Sequence, residues 1–158
     1  MEIKIYVDAD ACPVKEETVR VAERHKLAVI MVSNQWMRLP QSPLLQAVVV
    51  ADGLDKADDW IADRIGPGDL AITADIPLAS RCLEQGAKVI GPTGKPFDEE
   101  SIGMALAMRD LNANLRDSGE ISGHNPSFQK KDRSRFLNTL ENSLQAIKRA
   151  AKTIKRAG

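Results

Sequence analysis

Seven aspartates fall just after short apolar runs of this chain: Asp8 and Asp10 after IKIYV, Asp52, Asp55, Asp58 and Asp59 after AVVVA, and Asp75 after LAIT. If those runs are strands of one parallel sheet, the carboxylates converge outside its carboxyl edge, where open α/β sheets bind their ligands. Ionised carboxylates held together raise one another's pKa, and a divalent cation relieves that repulsion. Hard cations take oxygen donors, so magnesium or manganese is the expected cofactor, with waters and substrate phosphates completing its shell.

Each carboxylate also has a structural use. Asp55 stands where a helix needs an N-cap acceptor, and Asp52 can hold the turn before Gly53. Asp58 and Asp59 fall in a first helical turn, where the dipole favours acidic side chains; of the two, Asp58 is preferred for function. Asp8, Asp10 and Asp75 end apolar runs, where a partly buried carboxylate is unfavourable without a partner, and function is favoured for Asp8 and Asp75. Ser33, Asn34 and Arg38 after the second apolar run, and Thr73 beside Asp75, are candidate substrate-binding residues. His124, in the segment before QKKDRSRF, is either a phosphate contact together with Lys130 and Arg133 or a solvated loop residue.

Other chemistry is set aside. Cys12 and Cys82 lack the spacing of a thiolate zinc site, and Cys12 has no His or Asn context that marks a nucleophile, so it reads as a small packed residue. GPTGKP has the wrong glycine spacing for a phosphate loop, with Pro96 where a hydroxyl would follow Lys95. His25 falls at a helix carboxyl end, where the dipole welcomes it without catalytic duty. With aromatic residues at 4%, base stacking on a broad platform is excluded and Trp36 is the one candidate.

The elements that would position these residues alternate. Strands are expected at 3–7, 27–32, 47–51, 70–73 and 87–90, with helices from Pro13, from Asp55 and over 76–85 between them. This pattern predicts a three-layer α/β/α sandwich around a mainly parallel five-stranded sheet. The segment 33–46, with Trp36, Pro40 and Pro43, is expected as a loop or broken helix, and PTGKPF as a turn-rich connection. A helix from Asp98 carries a stripe of Met104, Met108, Leu111 and Leu115, expected against the sheet. Residues 117–128 read as a polar loop. A long basic helix over 130–156 then repeats Leu137, Leu140, Leu144, Ile147, Ala151 and Ile154, for docking on its own chain in preference to a weak homodimer.

The whole chain, 158 residues with 43% hydrophobic and 28% charged, suits a single domain over 1–158. Its 22 basic and 22 acidic residues balance, yet residues 1–110 carry net −6 and 111–158 net +6. Such asymmetry suits either a cation site in one part and an anionic partner, RNA or DNA, at the other, or a basic helix docked on an acidic body. No apolar run approaches a membrane span and position 2 is acidic, so no membrane partner is expected and a cytoplasmic location is.

VDADACPVK (7–15), GLDKADDWIA (53–62), GDLAITADIPLA (68–79) and RSRFLNTLE (133–141) together resemble the YaiI/YqxD family of uncharacterised bacterial proteins, nearly end to end. That family is similar in fold to the PIN-like nuclease superfamily. The resemblance implies a single PIN-like domain in which an aspartate after the first strand, an acidic residue near the middle helix and the aspartate of a T-x-D motif bind magnesium or manganese. Those metal roles would fall on Asp8, Asp58 or Asp59, and Asp75, with Asp8, Asp10, Asp58 and Asp75 as the catalytic set for cleaving RNA or DNA. The second acidic position has no clear counterpart here, and Asp10 is additional. VDADAC also resembles the D-x-D motif of haloacid-dehalogenase phosphatases, with Asp8 as nucleophile, Asp10 as acid/base and Ser33 after strand two. A third possibility is a nonenzymatic nucleic-acid-binding protein whose affinity lies in the segment from Lys130 onward.

Overall fold

Residues 4–8 (KIYVD) and 28–33 (AVIMVS) are apolar on both faces, and both form strands buried on both sides, β1 (Lys4–Asp8) and β2 (Ala28–Ser33). They belong to a computed structural model that describes residues 3–50, 56–117 and 128–157, with residue 11 and residues 109–117 and 153–157 described by backbone alone. The other strands are β3 (Leu45–Val49), β4 (Leu70–Ile72), β5 (Lys88–Ile90) and β6 (Pro96–Phe97). They form one sheet in the order β3-β2-β1-β4-β5-β6, parallel through the first five and antiparallel at β6. The chain moves outward from β1 to β3 and then returns to β4 on the other side, so the order reverses between β1 and β4.

Five helices cover the sheet: α1 (Lys15–His25), α2 (Lys56–Arg64), α3 (Ile76–Glu84), α4 (Glu99–Asp117) and α5 (Lys130–Ala157). On one face Val19 and Ala22 of α1 and Phe136, Leu140 and Leu144 of α5 close over Ile5, Val7, Val29, Met31 and Ile72. On the other, Ile61 of α2, Leu78 and Cys82 of α3 and Ile102 of α4 close over Tyr6, Ile30, Val32 and Val89. The result is the expected three-layer α/β/α sandwich with a long C-terminal helix. No helix among the described residues is long and apolar enough to cross a membrane.

Three local features differ from the sequence reading. The connection PTGKPF contains a sixth strand: Gly91 N–H donates to the Lys95 carbonyl at 2.8 Å, and Gly94 turns the chain at φ +89°. That left-handed angle favours glycine, and a Cβ there would lie 2.5 Å from the Arg135 carbonyl carbon of α5. The described part of the α4 stripe does not reach the sheet. Ile102 is buried, but Met104 and Met108 are 66% and 52% exposed, because α4 lies against α3, which already covers β5. The side chains of Leu111 and Leu115 lie outside the described residues. In α5 the buried seam is Phe136, Leu140, Leu144 and Ile147, so the helix docks on its own chain; Phe136, fully buried, replaces Leu137, which is only half-buried.

Polar contacts lock α5 to α1. Glu141 Oε2 lies 2.5 Å from His25 Nε2 and its Oε1 2.6 Å from Arg24, while Lys148 Nζ is 2.6 Å from His25 Nδ1. His25 is thus a structural bridge, as its position at the end of a helix suggested.

Candidate functional site

The reversal between β1 and β4 leaves a crevice at the carboxyl edge, and the two strands end there in polar residues. Val7 of β1 is fully buried and the next residue, Asp8, reaches the crevice half-buried. A short 3-10 turn, Ala9–Ala11, then bends the chain so that the Asp10 carboxylate accepts the Asn34 N–H at 3.0 and 3.2 Å, just past the end of β2. Beyond β4, Thr73 keeps its backbone tied to the sheet through the Ile90 carbonyl at 3.2 Å. Its hydroxyl donates to Asp8 Oδ2 at 2.9 Å and accepts the Asp75 N–H at 3.0 Å. Asp75 in turn caps α3, its Oδ1 accepting the Leu78 N–H at 2.8 Å.

Asp8, Cys12, Thr73, Asp75 and Pro92 line a cavity of about 270 Å³. Burial is the main cause that raises the Asp8 carboxyl above its ordinary range; the Thr73 hydroxyl opposes it, and the charges of Asp75 and Asp10 raise it further. Burial likewise raises the Cys12 thiol, which keeps it neutral and bears out its reading as a packed residue. A larger groove of about 1160 Å³ shares the wall residue Cys12 with this cavity and is lined by Lys15, Trp36, Arg38 and Arg133.

Asp8, Asp10 and Asp75 therefore gather, with Thr73 between two of them. Asp59 does not join them: it pairs with Arg81 of α3 at 2.8 Å. Asp58 sits in the first turn of α2, where its charge acts on Arg81 and Cys82 of α3. The physical reason is that the first turn of α2 faces α3, where the Arg81 guanidinium supplies the neutralising charge. Among the described residues no group of three or more His, Cys, Asp or Glu is arranged to hold a metal ion. Asp52, Asp55 and His124 lie outside the described residues.

The candidate substrate contacts divide similarly. Ser33 is buried and its hydroxyl donates to the Gln35 carbonyl at 2.8 Å, a use that shapes the loop. Asn34 serves through its backbone N–H on Asp10. Arg38 is exposed on the wall of the larger groove, and Arg133, with Nε 3.9 Å from Glu17, lines the same groove. Lys130 is exposed at the start of α5. Two residues were not singled out from the sequence. Lys15 donates to the Cys12 carbonyl at 2.7 Å where cavity and groove meet, and Pro92 closes the cavity from the far side. The signal for Pro92 was its place just after β5; for Lys15 no sequence signal existed beyond a helix start.

Comparison with known proteins agrees along almost the whole chain. The family described as Uncharacterized BCR, YaiI/YqxD family matches residues 6–146. A UPF0178 protein of Parvibaculum lavamentivorans is 60% identical over 146 residues, covering 92% of this chain and 96% of the relative. One from Rhodopseudomonas palustris strain TIE-1 is 57% identical over 152 residues, 95% of this chain and 96% of the relative. Another from Bradyrhizobium sp. strain ORS 278 is 56% identical over 147 residues, 93% and 90% respectively. No solved structure gives a significant match.

Proposed function

The chain belongs to the YaiI/YqxD family, and from that premise and the geometry of the crevice we propose that it is a divalent-metal-dependent phosphodiesterase acting on RNA or DNA. The observation that carries this reading is the Asp8–Thr73–Asp75 arrangement at the point where the strand order reverses. The aspartate after the first strand and the T-x-D after the fourth resemble the PIN-like nuclease pattern.

The donor set fits magnesium or manganese held by two carboxylates. Asp8 and Asp75 each have one oxygen engaged by a protein donor, Thr73 Oγ1 and the Leu78 N–H, and would offer the other. Magnesium is commonly held by one or two protein carboxylates with waters and phosphates completing the shell. Burial is the first cause that raises the Asp8 pKa, and the charges of Asp75 and Asp10 add to it; a cation would relieve that added repulsion. When bound, the cation would lower the pKa of a water and offset charge on the phosphodiester. The chain's own residues do the rest: Thr73 orients the Asp8 carboxylate, the α3 amide fixes Asp75, and the Asn34 N–H holds Asp10 beside the crevice, where it can accept a proton from an attacking water. The continuous larger groove favours an extended substrate over a small ester.

A phosphomonoesterase with Asp8 as nucleophile and Asp10 as acid/base is the second reading. It draws support from Lys15, whose ammonium sits on the Cys12 carbonyl at the cavity margin and supplies the cation that a phosphate would need there.

The test is incubation of purified protein with labelled single-stranded RNA and DNA in manganese, magnesium or chelator, with Asp8→Asn and Asp75→Asn beside wild type. Asn caps helices as well as Asp, so α3 survives the second change. We expect cleavage only with metal and loss in both variants. Equal cleavage by the variants, or none by wild type, would overturn the phosphodiesterase; turnover of an aryl phosphate with trapping at Asp8 would install the second reading.

A further inference from the structure

The Trp36 ring is the most exposed large apolar side chain among the described residues, at 80%. It stands on the loop between β2 and β3 and lines the larger groove, which shares Cys12 with the wall of the Asp8–Asp75 cavity. An exposed indole is unfavourable in water unless something covers it. The same groove is lined by three cations: Lys15 at the start of α1, Arg38 on the β2–β3 loop and Arg133 on α5. Glu16 and Glu17 also line it, but Arg133 Nε is 3.9 Å from Glu17, too far for a hydrogen bond, and its side chain is half-exposed, so its donors remain open to a phosphate.

We propose that this groove seats a single strand of nucleic acid, with an unpaired base stacked on Trp36 and flanking phosphates on Arg38 and Arg133, feeding the backbone toward Asp8 and Asp75. The inference rests on the phosphodiesterase reading and specifies its substrate as single-stranded. Only an unpaired base presents a face to an aromatic ring standing alone on a loop, and stacking of this kind tolerates any sequence because every base has a π-face. Charge matches as well: three cations against two carboxylates leave the groove net positive beside an otherwise acidic body.

The experiment is fluorescence anisotropy of a labelled oligouridylate, an oligothymidylate of equal length and a duplex, measured in chelator so that nothing is cut, with wild type, Trp36→Ala, Trp36→Phe and Arg38→Ala. We expect single strands to bind more tightly than duplex, Trp36→Ala to weaken them by about 5- to 150-fold, and Trp36→Phe to restore most of the loss. Arg38→Ala should weaken all single strands alike and flatten the salt dependence. Unchanged single-strand affinity in Trp36→Ala, or a preference for duplex, overturns the proposal and leaves the face for a protein partner. The two readings fail separately. Metal-dependent cleavage that vanishes in Asp75→Asn but is indifferent to Trp36 sinks only the groove, whereas Trp36-dependent binding without cleavage sinks only the phosphodiesterase.

Discussion

Two aspartates bridge β1 and β4 at opposite edges of the same sheet, and they are held in opposite ways. At the amino edge Asp69 accepts the Lys4 N–H at 3.2 Å on one oxygen and the Gly66 N–H at 3.0 Å on the other. Both of its oxygens serve backbone donors that would otherwise be unpaired, which is a structural use. At the carboxyl edge Asp8 receives a single side-chain donor, Thr73, and faces a cavity and two further carboxylates. The difference separates two uses of a carboxylate: Asp69 ties two separate backbone segments together at the amino edge, whereas Asp8, with one hydroxyl donor beside like charges, suits the cation site proposed above.

The sharpest way to break that contrast is Asp8→Asn, for which we expect activity to fall to background while the protein stays folded; a fully active variant would erase the distinction. Thr73→Val comes next. It removes the donor that orients Asp8, and metal affinity or turnover should fall by about 10- to 100-fold, read from a metal titration of the cleavage rate. Asp69→Ala should do the reverse, lowering stability by about 2 kcal/mol in a denaturant melt, with metal dependence of the rate unchanged.

The smallest effect is in pH. The folded-state pKa of Asp8 lies above its unfolded value, so above the unfolded carboxylate range the native state binds more protons and stability from this group falls as pH rises. The Asp8→Asn variant should therefore melt slightly higher than wild type at neutral pH, and the gap should close as pH drops into the carboxylate range. Activity should move the other way, fading on the acid side as Asp8 takes up its proton.

Much of this was legible from residue order. Alternating apolar runs and helical stripes located all five parallel strands and the helices to within a few residues; burial on both faces demands continuous apolar runs in β1, β2 and β4, and the edge strand β3 carries an apolar run although it is largely exposed. The emergence of Asp8 and Asp75 at one edge of the sheet followed from where those strands end. The two-residue β6 carried no periodicity to read, and its turn depends on Gly94 fitting against the α5 backbone. The α4 stripe was misleading because periodicity reports an apolar face without reporting what is free to cover it, and α3 occupied the sheet first. Asp58 and Asp59 likewise resemble Asp8 in type and spacing, yet Arg81 opposite them is a matter of helix packing.

Taken alone, the sequence determined the layered α/β architecture, the family and the delivery of Asp8, Asp10 and Asp75 to strand ends, since local hydrophobic periodicity and chain polarity decide which residues emerge at the carboxyl edge. Tertiary structure decided which carboxylates share a cavity and which are neutralised elsewhere, that Thr73 links Asp8 to Asp75, and that a groove lined by Trp36 shares Cys12 with their cavity. Those outcomes turn on strand order and on side chains more than twenty positions apart, such as Asp59 with Arg81 and Asp8 with Thr73, which no local pattern encodes.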